Sequence, residues 1–220
     1  DEASRQVWLS PDTGALNGMA GSAVAIESST VTVTWVRELA EQCRTYGITF
    51  LDAPVAGSRP QAEAAQLIYL VGGDAGVVAK AEPILRAMGS AVHHAGPAGS
   101  GAAVKLAVNA LLAVQVATMA ELLGLMQCNG IDGARALEIV SSTPVCSPAA
   151  RAAASAMLTR NFAPMFPIEL VEKDLGYVLD AAEVSGARVP VTQAARHVYA
   201  EAIEQGHGAD QMTGVSQLYL

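Results

Sequence analysis

Along the first hundred residues, short apolar runs alternate with stretches of helical period. Residues 23–27 (AVAIE), 48–53 (ITFLDA), 67–71 (LIYLV) and 91–94 (AVHH) read as strands. Between them, residues 30–46 place Val33, Val36, Leu39 and Ala40 on one helical face, with Thr30 as the expected N-cap. Gly47 then closes that helix as a left-handed residue would. Residues 74–88 read as a second helix, capped by Asp74. Strands alternating with helices predict an α/β layer. After Pro97 the strand signal stops. Residues 101–128 form one long helical pattern, followed by 132–142, 147–159, 168–185 and 191–205, with 211–218 as a last short helix. The expected organisation is α/β followed by all-α, divided into 1–97 and 98–220 without a flexible linker, the long helix itself leaving the first domain. No internal repeat or low-complexity tract interrupts it.

Composition narrows the class. Asp and Glu number 21 against 13 Lys and Arg, a formal charge of −8 with no basic tract. Such a chain is a poor partner for nucleic acid or an anionic membrane surface. Hydrophobic residues reach 51% while aromatics are 5%, which predicts helices packed closely through small side chains. Charged residues are only 15%, against roughly 25% in an average soluble domain, so part of the surface is expected to be hidden between subunits. Cys43, Cys128 and Cys146 are odd in number, far apart and without metal-ligand spacing, which fits reduced thiols in a cytoplasmic protein and no metal site. The start at Asp1 shows neither the basic nor the apolar region of a leader. The uncharged run 106–120 falls short of the ~18–20 residues of a membrane span.

The chain has three lysines, Lys80, Lys105 and Lys173, and one of them stands near the start of its most apolar helix. Lys105 and Asn109 are four residues apart and share a helical face. Two readings follow. Lys105 snorkels from the first turns while Asn109 packs or caps; or the pair is a desolvated amine with a polar partner, usable as an acid or base near neutral pH. Upstream, FLDAPVAGSRPQ (residues 50–61) ends a strand and enters a loop with Gly57 and Ser58. Loops at the carboxyl ends of strands are where α/β sheets bind ligands. Backbone N–H groups of Gly57 and Ser58 could form an anion nest beside the charge of Arg59; an ordinary tight turn fits equally.

DAPVAGS, then LVGG (70–73), then GPAGSGAAVKLAVN, then EKDLGY (172–177) follow in the order and spacing of the β-hydroxyacid dehydrogenases. The chain is therefore identified, from about residue 1 to about residue 215, as resembling that family, which includes 3-hydroxyisobutyrate dehydrogenase and tartronate semialdehyde reductase. The resemblance implies the C-terminal part of a Rossmann-like NAD(P)-binding domain (1–97) and an all-helical 6-phosphogluconate dehydrogenase-like domain (98–220). It also implies hydride transfer between NAD or NADP and a short hydroxy acid or semialdehyde, such as 3-hydroxyisobutyrate or 2-hydroxy-3-oxopropionate. Lys105 matches the catalytic lysine and Asn109 the residue that positions the substrate. Gly57 and Ser58 match the loop that holds the substrate carboxylate. Ser29 and Thr30 match a turn at the nicotinamide end of the cofactor, and Lys173 a lysine near it. A small-molecule hydroxy acid is the implied partner, with a homodimer or homotetramer formed through the helical domain.

Three departures mark this chain. The loop is usually DAPVSGG; here Ala56 and Ser58 replace its Ser and second Gly, removing one hydroxyl and moving another, and Arg59 becomes a candidate for selecting a different acid. The strand followed by GxGxxG that holds the pyrophosphate does not occur in residues 1–220; GSGAAV at 99–104 has Val104 where a third Gly or Ala belongs. The opening DEASRQVWL resembles a helix late in the nucleotide half, so the chain is expected to lack that front and to bind cofactor weakly. Two rival readings are a truncated, non-catalytic oligomerisation module and an imine reductase-like enzyme; the latter lacks the lysine, so Lys105 counts against it.

Overall fold

The computed structural model describes residues 1–220. Two compact units divide the chain, Asp1–Val108 and Asn109–Leu220, with the division inside one long helix.

In the first unit a short helix α1 (Glu2–Leu9) precedes strand β1 (Val24–Glu27), helix α2 (Val33–Thr45) and strand β2 (Thr49–Asp52). β1 and β2 run parallel, ending with Glu27 opposite Asp52. The chain continues into β3 (Val55–Ala56), a one-turn helix α3 (Arg59–Glu63), strand β4 (Leu67–Gly72), helix α4 (Ala75–Arg86) and strand β5 (Gly89–Gly96). β4 lies antiparallel to β3 and meets β2 at Asp52 opposite Gly72, while β5 runs parallel to β4. Asp52 thus sits where the β2–β3 run changes partner from β1 to β4. Alternation along β2 explains the two cores. Phe50 faces Trp35, Val36, Leu39 and Cys43 of α2, and Leu51 faces Val71 together with Val78, Ala81 and Leu85 of α4.

The strands and helices stand where the hydrophobic periods place them, with two differences. Thr30 is not the cap of α2. The cap is Thr32, whose Oγ1 accepts from Trp35 N at 3.0 Å. Asp1, 31 residues away, fixes it by accepting from Thr32 N and Oγ1 at 2.8 and 2.6 Å, which holds Thr32 extended. β3 and α3 were not expected. Two strand residues carry no period, and α3 is set by Ser58 N donating to Gln61 Oε1 at 2.9 Å, half of a capping box. Gly47 does take the left-handed conformation after α2, at φ +69°, and Asp74 does cap α4, accepting from Val77 N.

The second unit contains most of α5 (Ser100–Cys128), then α6 (Gly133–Ser141), α7 (Pro148–Leu158), α8 (Ile168–Ser185), α9 (Pro190–Glu204) and a terminal 3₁₀ turn, Met212–Leu218. No strand forms there beyond one bridge between Pro167 and Gln211. Its core interleaves Ala113, Val116, Ala120 and Leu123 of α5 with Ala154 and Met157 of α7, Val171 and Leu175 of α8, and Tyr199 of α9. Tyr199 is fully buried, donates to Ala113 O at 3.0 Å, and burial pushes its hydroxyl well above the ordinary tyrosine range. By length and composition alone α5 could cross a membrane, but half of that apolar window is buried inside the protein. Val104, Val108, Leu111, Leu122 and Leu125 form an exposed stripe along the same helix.

Leu175→Ala should lower the unfolding free energy by about 3 kcal/mol, because the Ala-lined site around it cannot collapse to fill the void. The midpoint of urea unfolding reads this directly.

Candidate active site

The first unit carries six of the residues singled out from the sequence. Ser29 and Thr30 lie in the turn after β1, Ser29 exposed and Thr30 half-buried. What shapes that turn is Glu27, a buried carboxylate the sequence reading passed over. It accepts from Ser4 Oγ, from Trp8 Nε1 at 2.9 Å and from Ser29 N at 2.8 Å. Burial pushes the Glu27 carboxyl up, but the hydrogen bonds from Ser4, Ser29 and Trp8 together outweigh it, and the net shift is downward. Glu27 is thus turned inward, and its carboxylate fixes the turn through Ser29.

Gly57, Ser58 and Arg59 lie between β3 and the end of α3's first turn. Gly57 has φ +120°, and a Cβ there would stand 3.1 Å from both Gln61 Cβ and Leu67 Cδ2. The Ser58 N–H points to Gln61 Oε1, and Arg59 Nε pairs with Glu63 Oε1 at 2.7 Å on the exposed side of α3. Two of the three donors proposed for an anion, Ser58 N and Arg59, therefore already have a partner within α3. A ligand carboxylate at Ser58 has to displace the Gln61 side chain.

Lys105 is half-buried in the second turn of α5. The first turn is gripped by Asp52: its Oδ1 accepts from Gly99 N and its Oδ2 from Ala102 N, each at 2.8 Å. The strand that supplies Asp52 reaches Gly57 five residues later.

In the second unit Asn109 is buried and donates to Asp174 Oδ2 at 2.6 Å. Lys173 Nζ lies 3.1 Å from Asp174 Oδ1 and 5.1 Å from the Tyr177 ring centroid. Asp174 Oδ1 has no hydrogen-bond partner, so its contact with Lys173 is one of charge, off the angles of a hydrogen bond. The Lys173–Asp174 pair is thus half-buried through its aspartate. His207 belongs to a turn, with Nδ1 3.3 Å from Asp210 Oδ2 and 3.1 Å from Gln217 Nε2.

Comparison with known proteins decides the family. Residues 1–96 match the NAD binding domain of 6-phosphogluconate dehydrogenase, and 99–219 match the model described as NAD-binding of NADP-dependent 3-hydroxyisobutyrate dehydrogenase. An NAD-dependent L-serine dehydrogenase of Pseudomonas aeruginosa is 33% identical over 215 residues, covering 94% of this chain and 72% of that protein. The chain belongs to the β-hydroxyacid dehydrogenase family. A 3-hydroxyisobutyrate dehydrogenase of the same organism is also 33% identical, over 94% of this chain and 73% of its own length. The solved structure of Mycobacterium tuberculosis 3-hydroxyisobutyrate dehydrogenase with L-serine superposes with a TM-score of 0.88 at 29% identity, over 99% of this chain and 75% of that one. The family's enzymes are oxidoreductases that use NAD or NADP, and this β-hydroxyacid dehydrogenase is of that class.

The downward shift of Glu27 has a sign that can be tested. A carboxyl depressed below its unfolded value of 4.5 contributes stability above that pH and loses it as the pH falls through the lower, folded value. Wild-type melting temperature should therefore fall more steeply than that of Glu27→Gln between about pH 5 and pH 3. Parallel slopes for the two proteins would remove Glu27 from the account.

Proposed function

We propose that the protein interconverts a short β-hydroxy acid and its semialdehyde, of the size of 3-hydroxyisobutyrate, L-serine or 2-hydroxy-3-oxopropionate, with Lys105 as acid and base. One observation carries the reading. Lys105 stands three residues beyond Ala102, whose amide is bound to Asp52, on the same strand that runs into the Gly57–Ser58 loop. The resemblance assigns those two places to the proton and to the carboxylate.

The turn after β1, fixed by the Glu27 carboxylate accepting from Ser29 N, is proposed to receive the nicotinamide end of the cofactor. Ser29 and Thr30 are the residues proposed to hold that end. The bound dinucleotide supplies the hydride acceptor or donor. Lys105 as the neutral amine takes the hydroxyl proton on oxidation, and as the ammonium returns it on reduction. Gly57 and Ser58 receive the carboxylate through backbone N–H groups, with Gln61 giving up Ser58 N. Asn109, which the resemblance assigns to positioning the substrate, is held by Asp174 through one N–H. Holding the reacting groups in line is worth more than any single contact.

The test is nicotinamide-linked oxidation of 3-hydroxyisobutyrate or L-serine, or reduction of 2-hydroxy-3-oxopropionate, by the full gene product that contains residues 1–220. Lys105→Met should cut kcat by about 10³-fold while leaving NADH and NADPH binding intact. Turnover within a few-fold of wild type would remove Lys105 from the chemistry.

The exposed stripe on α5 we assign to a second copy of the chain. A Leu111→Glu, Leu125→Glu protein should then sediment as a monomer where the wild type sediments as a dimer or tetramer.

A further inference from the structure

We infer that Asp52 is a positioning residue for the reaction: its carboxylate sets where Lys105 stands relative to the Gly57–Ser58 loop. The inference rests on the Lys105 reading above and adds to it the part that aims the lysine.

Asp52 is fully buried, and its two hydrogen-bond partners are backbone amides 47 and 50 residues away. A helix is ordinarily capped by the residue just before it, as Thr32 and Asp74 do for α2 and α4. The first turn of α5 is instead tied from the end of a strand, with one carboxylate oxygen on each amide. A carboxylate suits this place because the exposed N–H groups and the dipole at a helix start favour negative charge. Burying a charge is costly for stability alone, and a neutral local cap would satisfy an amide without it.

The surroundings are cut to admit the contact. A Cβ at Gly101 would fall 2.3 Å from Leu70 O and 2.8 Å from Asp52 Oδ2; a Cβ at Gly72 would fall 2.3 Å from Asp52 Oδ1. Glycine at both places lets α5 lie directly on β2 and β4. Lys105 is i+4 from Gly101 and i+3 from Ala102, so it leaves the helix on the face that this contact fixes. On the strand side, Asp52 pairs with Glu27 of β1 and with Gly72 of β4, and the loop at Gly57 follows within five residues. One residue therefore ties the helix of the lysine by its side chain to the strand that pairs with β1 and runs on to the carboxylate loop. It acts through Lys105 and touches no reacting atom.

Asp52→Asn keeps the shape but faces one of the two amides with an NH₂ group. Amine-specific acylation followed by peptide mass spectrometry reads Lys105 against Lys80 and Lys173, the chain's two other lysines. The Lys105 rate relative to Lys80 should rise about threefold, with faster hydrogen exchange confined to the first turns of α5, while Lys173 relative to Lys80 stays constant. In the full gene product kcat should fall about tenfold with cofactor KM unchanged. Gly101→Ala, whose methyl would press on Leu70 O and Asp52 Oδ2 while leaving the carboxylate chemically intact, should give the same pattern and serves if Asp52→Asn does not fold. A folded Asp52→Asn protein with unaltered Lys105 labelling and unaltered exchange at α5 overturns the proposal. Failure of the Lys105 reading is separate: Lys105→Met would then retain turnover, while the labelling ratios still report on Asp52.

Discussion

The contact on which the first unit depends is a buried carboxylate laid across the start of a helix. Asp52 accepts from Gly99 N and Ala102 N, and both Lys105 and the Gly57–Ser58 loop lie within a few residues of one end or the other of those two bonds. The strand that carries Asp52 changes partner there, from parallel pairing with β1 to antiparallel pairing with β4. A change of partner leaves room above the strand ends, which is where open α/β sheets take ligands. Glycines at 72 and 101 are the cost of so close an approach: Asp52 accounts for Gly72, and Leu70 O together with Asp52 accounts for Gly101.

A second buried carboxylate does related work one strand away. Glu27 draws Ser4 and Trp8 of α1 and the amide of Ser29 onto itself, so that α1 is fastened to the end of β1. A third, Asp174, holds Asn109 in the helical unit. Each of these acids fixes the backbone or side chain next to a residue assigned to substrate or cofactor, and none of them is exposed. The enzyme's exposed ion pairs, such as Arg59 with Glu63, are of the kind that contribute little to stability.

Much of this was legible in the sequence. Hydrophobic period alone places four strands and all the long helices, and α8 runs over Ile168–Ser185 as its pattern predicts. Paucity of aromatics against abundant Ala and Val reappears as the Ala113–Ala120–Ala154 packing of the second unit. The lysine and the loop were found by their motifs, and the family they imply holds. What sequence reading missed shares one physical cause: partners far apart in the chain leave no local signature. Asp1 capping through Thr32, Asp52 reaching Ala102 and Asn109 reaching Asp174 span 31, 50 and 65 residues. The two-residue β3 is too short to show a period. The Arg59–Glu63 pair was different, since its i,i+4 spacing stood in the sequence and would have tempered the reading of Arg59 as an anion ligand.

The central claim is that Lys105 moves a proton rather than lending a charge. Lys105→Arg separates the two, because a guanidinium keeps the positive charge and does not deprotonate in the working pH range. The decisive measurement is kcat for oxidation of the hydroxy acid by the Lys105→Arg enzyme, followed across pH. The account predicts that oxidation is lost at every pH while NAD(P)H still binds. An arginine enzyme that oxidises its substrate at near the wild-type rate, with an unchanged pH profile, would contradict it.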